Sequence, residues 1–153
     1  MTTPARLRSL VRQALQQAGF TPKGSAWLWA GSEVSWLVAL DRSPTAPRYT
    51  LELGASPGSA SAQQPNNCPV LVHLENLPLG GADVDFRDRA LRAFDLSSAM
   101  DDSVREQEIG WVLDRTIGYL TSLGELSALK RRYAAGDLES AFIHKDLRGQ
   151  LSS

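Results

Sequence analysis

Residues 24–40 read GSAWLWAGSEVSWLVAL, and they carry three of the four tryptophans, at Trp27, Trp29 and Trp36. The short connection Ala30-Gly31-Ser32 divides the stretch into two runs that alternate with a period of two, the mark of a strand pair. Glycine at the centre suits a turn that needs a positive φ. In the second run Val34, Trp36, Val38 and Leu40 share one face, while Ser35, Leu37, Ala39 and Asp41 share the other. Trp36 thus falls among aliphatic residues, as a core side chain does. In the first run Trp27 and Trp29 alternate with Ala26, Leu28 and Ala30, so both faces are apolar. Two arrangements fit that pattern. Either helices cover the sheet on both sides, or Trp27 and Trp29 form an exposed aromatic platform that a partner contacts.

Working outward, strands are expected over 25–30, 33–41, 48–54 (RYTLELG) and 69–76 (PVLVHLEN). The prolines of DRSPTAP mark a loop between the second and third. The small and polar residues at 55–67 read as an exposed low-complexity loop. Short connections favour an antiparallel meander with one face on the core. Before the sheet, residues 4–18 place Leu7, Leu10, Val11, Ala14, Leu15 and Ala18 on one helical stripe. Thr3 fits the N-cap, Pro4 the first helical position and Gly19 the left-handed stop.

The C-terminal part is helical in pattern. Ser103 and Glu106 have capping-box spacing ahead of the stripe Ile109, Val112, Leu113, Thr116, Ile117 and Leu120. A second helix is expected from about Gly124, carrying Leu126, Leu129 and Tyr133. Gly136-Asp137 breaks it, and a last helix is expected through Leu138, Ala141 and Phe142. Residues 83–95 allow a short charged helix with Phe86, Ala90 and Phe94 on one side. The expected fold is therefore α+β in a single domain, residues 1–153. An N-terminal helix and a C-terminal layer of two to three helices would flank an antiparallel sheet of about four strands.

Composition narrows the function classes. The apolar share of 42% and charged share of 22% are ordinary for a globular protein, and 153 residues suffice for a core without a metal or disulfide. Sixteen basic and seventeen acidic side chains leave no broad basic field for a phosphate backbone. The acid-free first 24 residues do hold Arg6, Arg8, Arg12 and Lys23, and a solvated helix face accounts for them. Nucleic acid is not the expected partner. No apolar run approaches a membrane span, and the N-terminus lacks a signal-peptide core. A single cysteine, Cys68, leaves no internal disulfide and no cysteine-rich zinc site, which points to a reducing compartment and a cytoplasmic location.

Few residues invite chemistry. His73 and Glu75 share a strand face beside Cys68, but zinc needs three or four ligands, and no metal or cofactor is expected. Cys68 and His73 lie five residues apart, roughly 16 Å along an extended chain, too far for a thiolate–imidazolium pair without a sharp turn. GASPGSAS lacks the lysine and following helix of a phosphate cradle. What remains is a polar sheet face that Arg48, Glu52, His73 and Glu75 would line.

The order of motifs is itself informative. A helix ending in QAGFTPKGSAWLW, then YTLELGA, CPVLVHLENL and YLTSLGELSALKRRYAAGDLESAFI run across nearly the whole chain. With Gly19-Phe20, Lys23, Trp27, Leu53-Gly54, Cys68, Leu74 and Gly136 at matching places, it resembles the bacterial family known as domain of unknown function 4304. The resemblance implies a bacterial origin and the fold order, and it brings no activity. A non-catalytic protein-binding or accessory module, of which an immunity-type protein is one form, is the leading expectation. Trp27 and Trp29 are then contact candidates. The alternative is a small hydrolase or transferase working on the face of Arg48, Glu52, His73 and Glu75.

Overall fold

The structure is a computed structural model, and it describes residues 1–58, 64–79, 85–138 and 141–152. Helix α1 (Pro4–Gln17) begins and ends as its sequence dictates. The Thr3 hydroxyl accepts the Arg6 N–H at 3.1 Å, and Gly19 takes φ 93° just past the last turn. Leu7, Val11 and Leu15 are buried along the stripe.

The sheet is antiparallel throughout and follows chain order: β1 (Thr21–Lys23), β2 (Ala26–Ala30), β3 (Val34–Arg42), β4 (Tyr49–Pro57), β5 (Val70–His73) and β6 (Phe142–Ile143). That makes six strands among the described residues, not about four. The two additional strands lie at the edges. β1 is a three-residue Thr-Pro-Lys segment that pairs with β2 across a turn at Gly24, φ 61°. β6 stands where a helix through Phe142 was expected; two residues of chain cross back to Val70 and Leu71 before α5 (Lys145–Leu151) begins. β4 runs three residues into the expected loop: Ala55 and Ser56 are buried, and Pro57 pairs with Val34. Residues 59–63 of that expected loop lie outside the described residues, while Pro65 and Cys68 beyond them are buried. β5 ends at His73, and Leu74–Asn76 form a 3-10 turn.

The remaining helices are α2 (Phe86–Ala93), α3 (Asp102–Thr121) and α4 (Leu126–Ala134). Phe86, Ala90 and Phe94 are buried as their spacing predicted. The expected capping box at α3 does not form. Asp101 occupies the N-cap position without a side-chain bond to the helix, and Glu106 accepts from Arg6 of α1 at 2.6 Å. Arg105, one residue earlier, is buried. Its guanidinium donates to the carbonyls of Arg92, Ala93, Asp95 and Ser98, tying the end of α2 and the following turn to α3.

The alternation of the strands separates two layers. Trp27, Val34, Trp36, Val38, Leu51, Leu53, Ala55, Val70 and Val72 point to one side, where the five described α-helices and the connections between elements supply the rest of the main core. Trp36 also donates its indole N–H to the carbonyl of Leu123 at 3.2 Å. On the other side Ala26, Leu37 and Cys68 form a small second cluster with Leu28 and Ala39. Among the described residues the chain at 64–68, with a 3-10 turn at Pro65–Asn67, crosses that side. A Cβ on Gly54 would lie 2.7 Å from the Pro65 carbonyl oxygen and 2.8 Å from the Cys68 sulfur, so the crossing segment rests on a bare glycine backbone.

Gly31 serves a purpose different from the expected one. Its φ is not among the positive values; instead the β2–β3 turn presses against the α3–α4 connection. A Cβ on Gly31 would stand 2.5 Å from the Cα of Gly124, whose carbonyl accepts the N–H groups of Glu33 at 2.9 Å and Val34 at 3.0 Å.

Candidate functional site

Registry decides which of the expected site residues meet. β4 and β5 pair Glu52 with His73, and β3 and β4 pair Ala39 with Glu52 and Asp41 with Thr50. Asp41, Thr50, Glu52 and His73 therefore share the second face, away from the main core. Directly opposed residues in such a ladder have Cβ atoms about 5 Å apart, and diagonal ones about 7 Å. Glu75 joins from the 3-10 turn after β5, where its carboxylate accepts the Thr50 hydroxyl at 2.6 Å.

The electrostatics of this group are those of crowded carboxyls. Partial burial pushes the Glu52 carboxyl above its ordinary range. The charge of Asp41 and a hydrogen bond shared with it act in the same direction, while His73 opposes them. Glu52 thus holds its proton to a higher pH than a free glutamate does. Chemically the group can accept a cationic or donor-rich partner, and Glu52 can give up a proton close to His73.

Among the described residues no hydrogen bond or ion pair joins Arg48 to it, although alternation puts Arg48 on the same face two residues before Thr50. It is exposed, precedes β4, and pairs through its backbone with Asp95. Four residues separate it from Glu52, roughly 13 Å along a strand. The tryptophan platform is absent as well. Trp27 is 7% exposed and Trp29 half-buried, both packed into the main core, because the strand's parity turns them toward the helices. Phe20 packs against Trp29 at 6.4 Å between ring centroids.

The sequence reading passed over Asp41, Thr50 and the apolar border of this face. Leu71 stands two residues before His73 on the same side of β5, and it is opposed on β6 by Phe142, whose ring is 61% exposed. Asp41 had a usable signal, since it is the charged end of the β3 parity of Ser35, Leu37 and Ala39. Phe142 had none, because its surroundings read as helix.

Cys68 is buried in the segment that crosses this face, and burial raises its thiol above the ordinary value against weaker opposite effects of Ser56 and Lys23. It packs with Ala26 and Leu37 as a small apolar side chain. Among the described residues, no group of three or more His, Cys, Asp and Glu side chains is placed to hold a metal ion. No helix among them is long and apolar enough to cross a membrane. Of the acid-free N-terminal cations, Arg6 is engaged by Glu106.

Compared with known proteins, the chain matches no family model, no curated protein and no solved structure.

Proposed function

We propose that this chain is a non-catalytic protein-binding or accessory module, a class that includes immunity-type proteins, that docks its partner on the second sheet face. The observation that carries this reading is the continuity of Asp41, Glu52, His73 and Glu75 with half-buried Leu71 and exposed Phe142. An aromatic anchor beside a rim of hydrogen-bonding and charged groups is the composition of protein interfaces. The segment at 64–68 crosses the face over Gly54, in the row of Leu71 and Phe142, and the rows of Glu52 with His73 and of Thr50 with Glu75 lie beyond that crossing. The same proposal groups the chain with the bacterial domain of unknown function 4304 on the order of its motifs, and gives it a cytoplasmic location.

Affinity isolation from the native cell lysate tests it, with wild type run beside Phe142→Asp and Asp41→Lys. Both altered side chains are exposed, so the fold is expected to survive. A stoichiometric protein partner held by wild type and lost from the variants is the expected result. A partner retained equally by both folded variants contradicts the reading.

A second reading draws on one observation, the raised carboxyl of Glu52 opposite His73. On it the chain is a small hydrolase or transferase with Glu52 as general acid, near His73 and Glu75. Arg48, at the far end of the strand, then takes no part in the chemistry. Loss of a turnover, found by substrate screening, in Glu52→Gln at unchanged stability is its test.

A further inference from the structure

We propose that the cleft between the β2–β3 turn and helix α4 binds a small organic oxyanion, held by Arg131 and Arg132 with its apolar body against Trp29. Two adjoining cavities of about 350 and 490 Å³ share Ser122, Ala128 and Arg131, and so make one trough with Arg131 at its middle. That volume suits a compact ligand. Trp29 lines one end, with its ring over the bare Cα of Gly124. Arg132 and Asp137 line the other.

The polar groups of the trough are arranged as if one participant were missing. The guanidinium of Arg131, exposed on α4, makes no hydrogen bond or ion pair among the described residues. Arg132 is occupied by Asp137 at 3.2 Å, a contact within the chain that an entering oxyanion would replace. Tyr119, 5% exposed, lines neither cavity and supports the wall from within, with its ring centroid 5.4 Å from the Arg132 guanidinium carbon. Its hydroxyl is buried and has no hydrogen-bond partner among the described residues. Burial pushes the phenol up to about 12, with Asp137 adding to the shift and Arg132 opposing it, so the hydroxyl remains a neutral donor at physiological pH. Glu125 is the acid at the Trp29 end. It repels an anion from that end and so orients the ligand, with apolar body on the indole and charge toward the two arginines. Arg132 and Arg131 offer the planar fork that matches carboxylate and phosphate oxygens.

The test is a titration of the whole chain with phenyl phosphate, benzoate and inorganic phosphate, following the Trp29 indole N–H by two-dimensional NMR. Saturable displacement of that resonance by phenyl phosphate or benzoate is expected, with Kd below about 1 mM. Which of the two binds tighter separates a phosphate monoester from a carboxylate. Inorganic phosphate, with no body to lie on Trp29, is expected to bind at least tenfold more weakly than the better organic anion. Arg131→Gln should weaken the organic anion at least tenfold. Arg132→Gln should weaken it severalfold, with the melting temperature within a few degrees of wild type. Absence of saturation by either organic anion up to about 10 mM, or undiminished affinity in either variant, overturns the proposal.

Discussion

Replacing Gly31 by alanine tests the architecture at the point where the sheet meets the helical layer. The new Cβ would lie 2.5 Å from the Gly124 Cα and 2.5 Å from the Val34 carbonyl oxygen, both backbone atoms that no rotamer change can move aside. Carbon atoms settle at about 3.5–4.0 Å, so the turn must retreat by about 1 Å. The Gly124 carbonyl then draws away from the N–H groups of Glu33 and Val34, which it now holds at 2.9 and 3.0 Å. Two hydrogen bonds at about 1 kcal/mol each, with about 1–3 kcal/mol of overpacking, give a loss of about 3–5 kcal/mol. That is a large part of a typical stability of about 5–15 kcal/mol. Urea unfolding followed by tryptophan fluorescence measures it, because Trp36 is fully buried next to this contact. Gly110→Ala is the control. It lies on the exposed side of α3 with nothing within 4 Å, and alanine there should stabilise by about 0.5–1 kcal/mol. A Gly31→Ala protein within about 0.5 kcal/mol of wild type would refute the close approach of turn and helix connection.

Other consequences are as direct. Glu52 binds its proton more tightly in the folded chain than in the unfolded one. Its contribution therefore favours folding most below the unfolded carboxyl's pKa, and is lost as pH rises through the raised folded value. Glu52→Gln should remove that component, so that stability falls less than in wild type between mildly acidic and neutral pH; an unchanged slope in thermal melts across this range contradicts the assignment. Arg105→Met leaves four carbonyls without the guanidinium that holds them. A loss of about 3–5 kcal/mol is expected, seen in calorimetry as a melting temperature lower by about 10 °C, and a drop under about 3 °C would show that water replaces it.

Much of the frame was legible because local signals and global packing agree. In α1 the cap, the proline, the apolar stripe and the terminal glycine all mark the same helix. In β3 the alternation assigned Val34, Trp36 and Val38 to the main core correctly. The edge strands were not legible, since three residues containing a proline, or two after a glycine break, are too short to show a period. The segment from Gly54 onward looked like a loop because its residues are small. Their size answers a packing need, as Gly54 is crossed by Pro65 and Cys68, and Ser35 reaches the Gly58 carbonyl at 2.7 Å.

The same physics explains what was seen of the candidate site. Glu52, His73 and Glu75 were recoverable from face alternation alone. The proximity of Asp41 to Glu52 depends on the β3–β4 register, which is set by the turn between Arg42 and Tyr49. Trp27 and Trp29 were ambiguous because both faces of β2 are apolar. Parity places them together, but only the crossing of 64–68 over the other face shows which layer they enter.

Docking on the second sheet face is tested most directly by titrating the isolated partner into wild type and into Phe142→Asp by calorimetry. The account predicts at least a tenfold rise in Kd for the variant, about 1.4 kcal/mol, with its melting temperature unchanged. Equal affinity for the two proteins would place the partner elsewhere and contradict it.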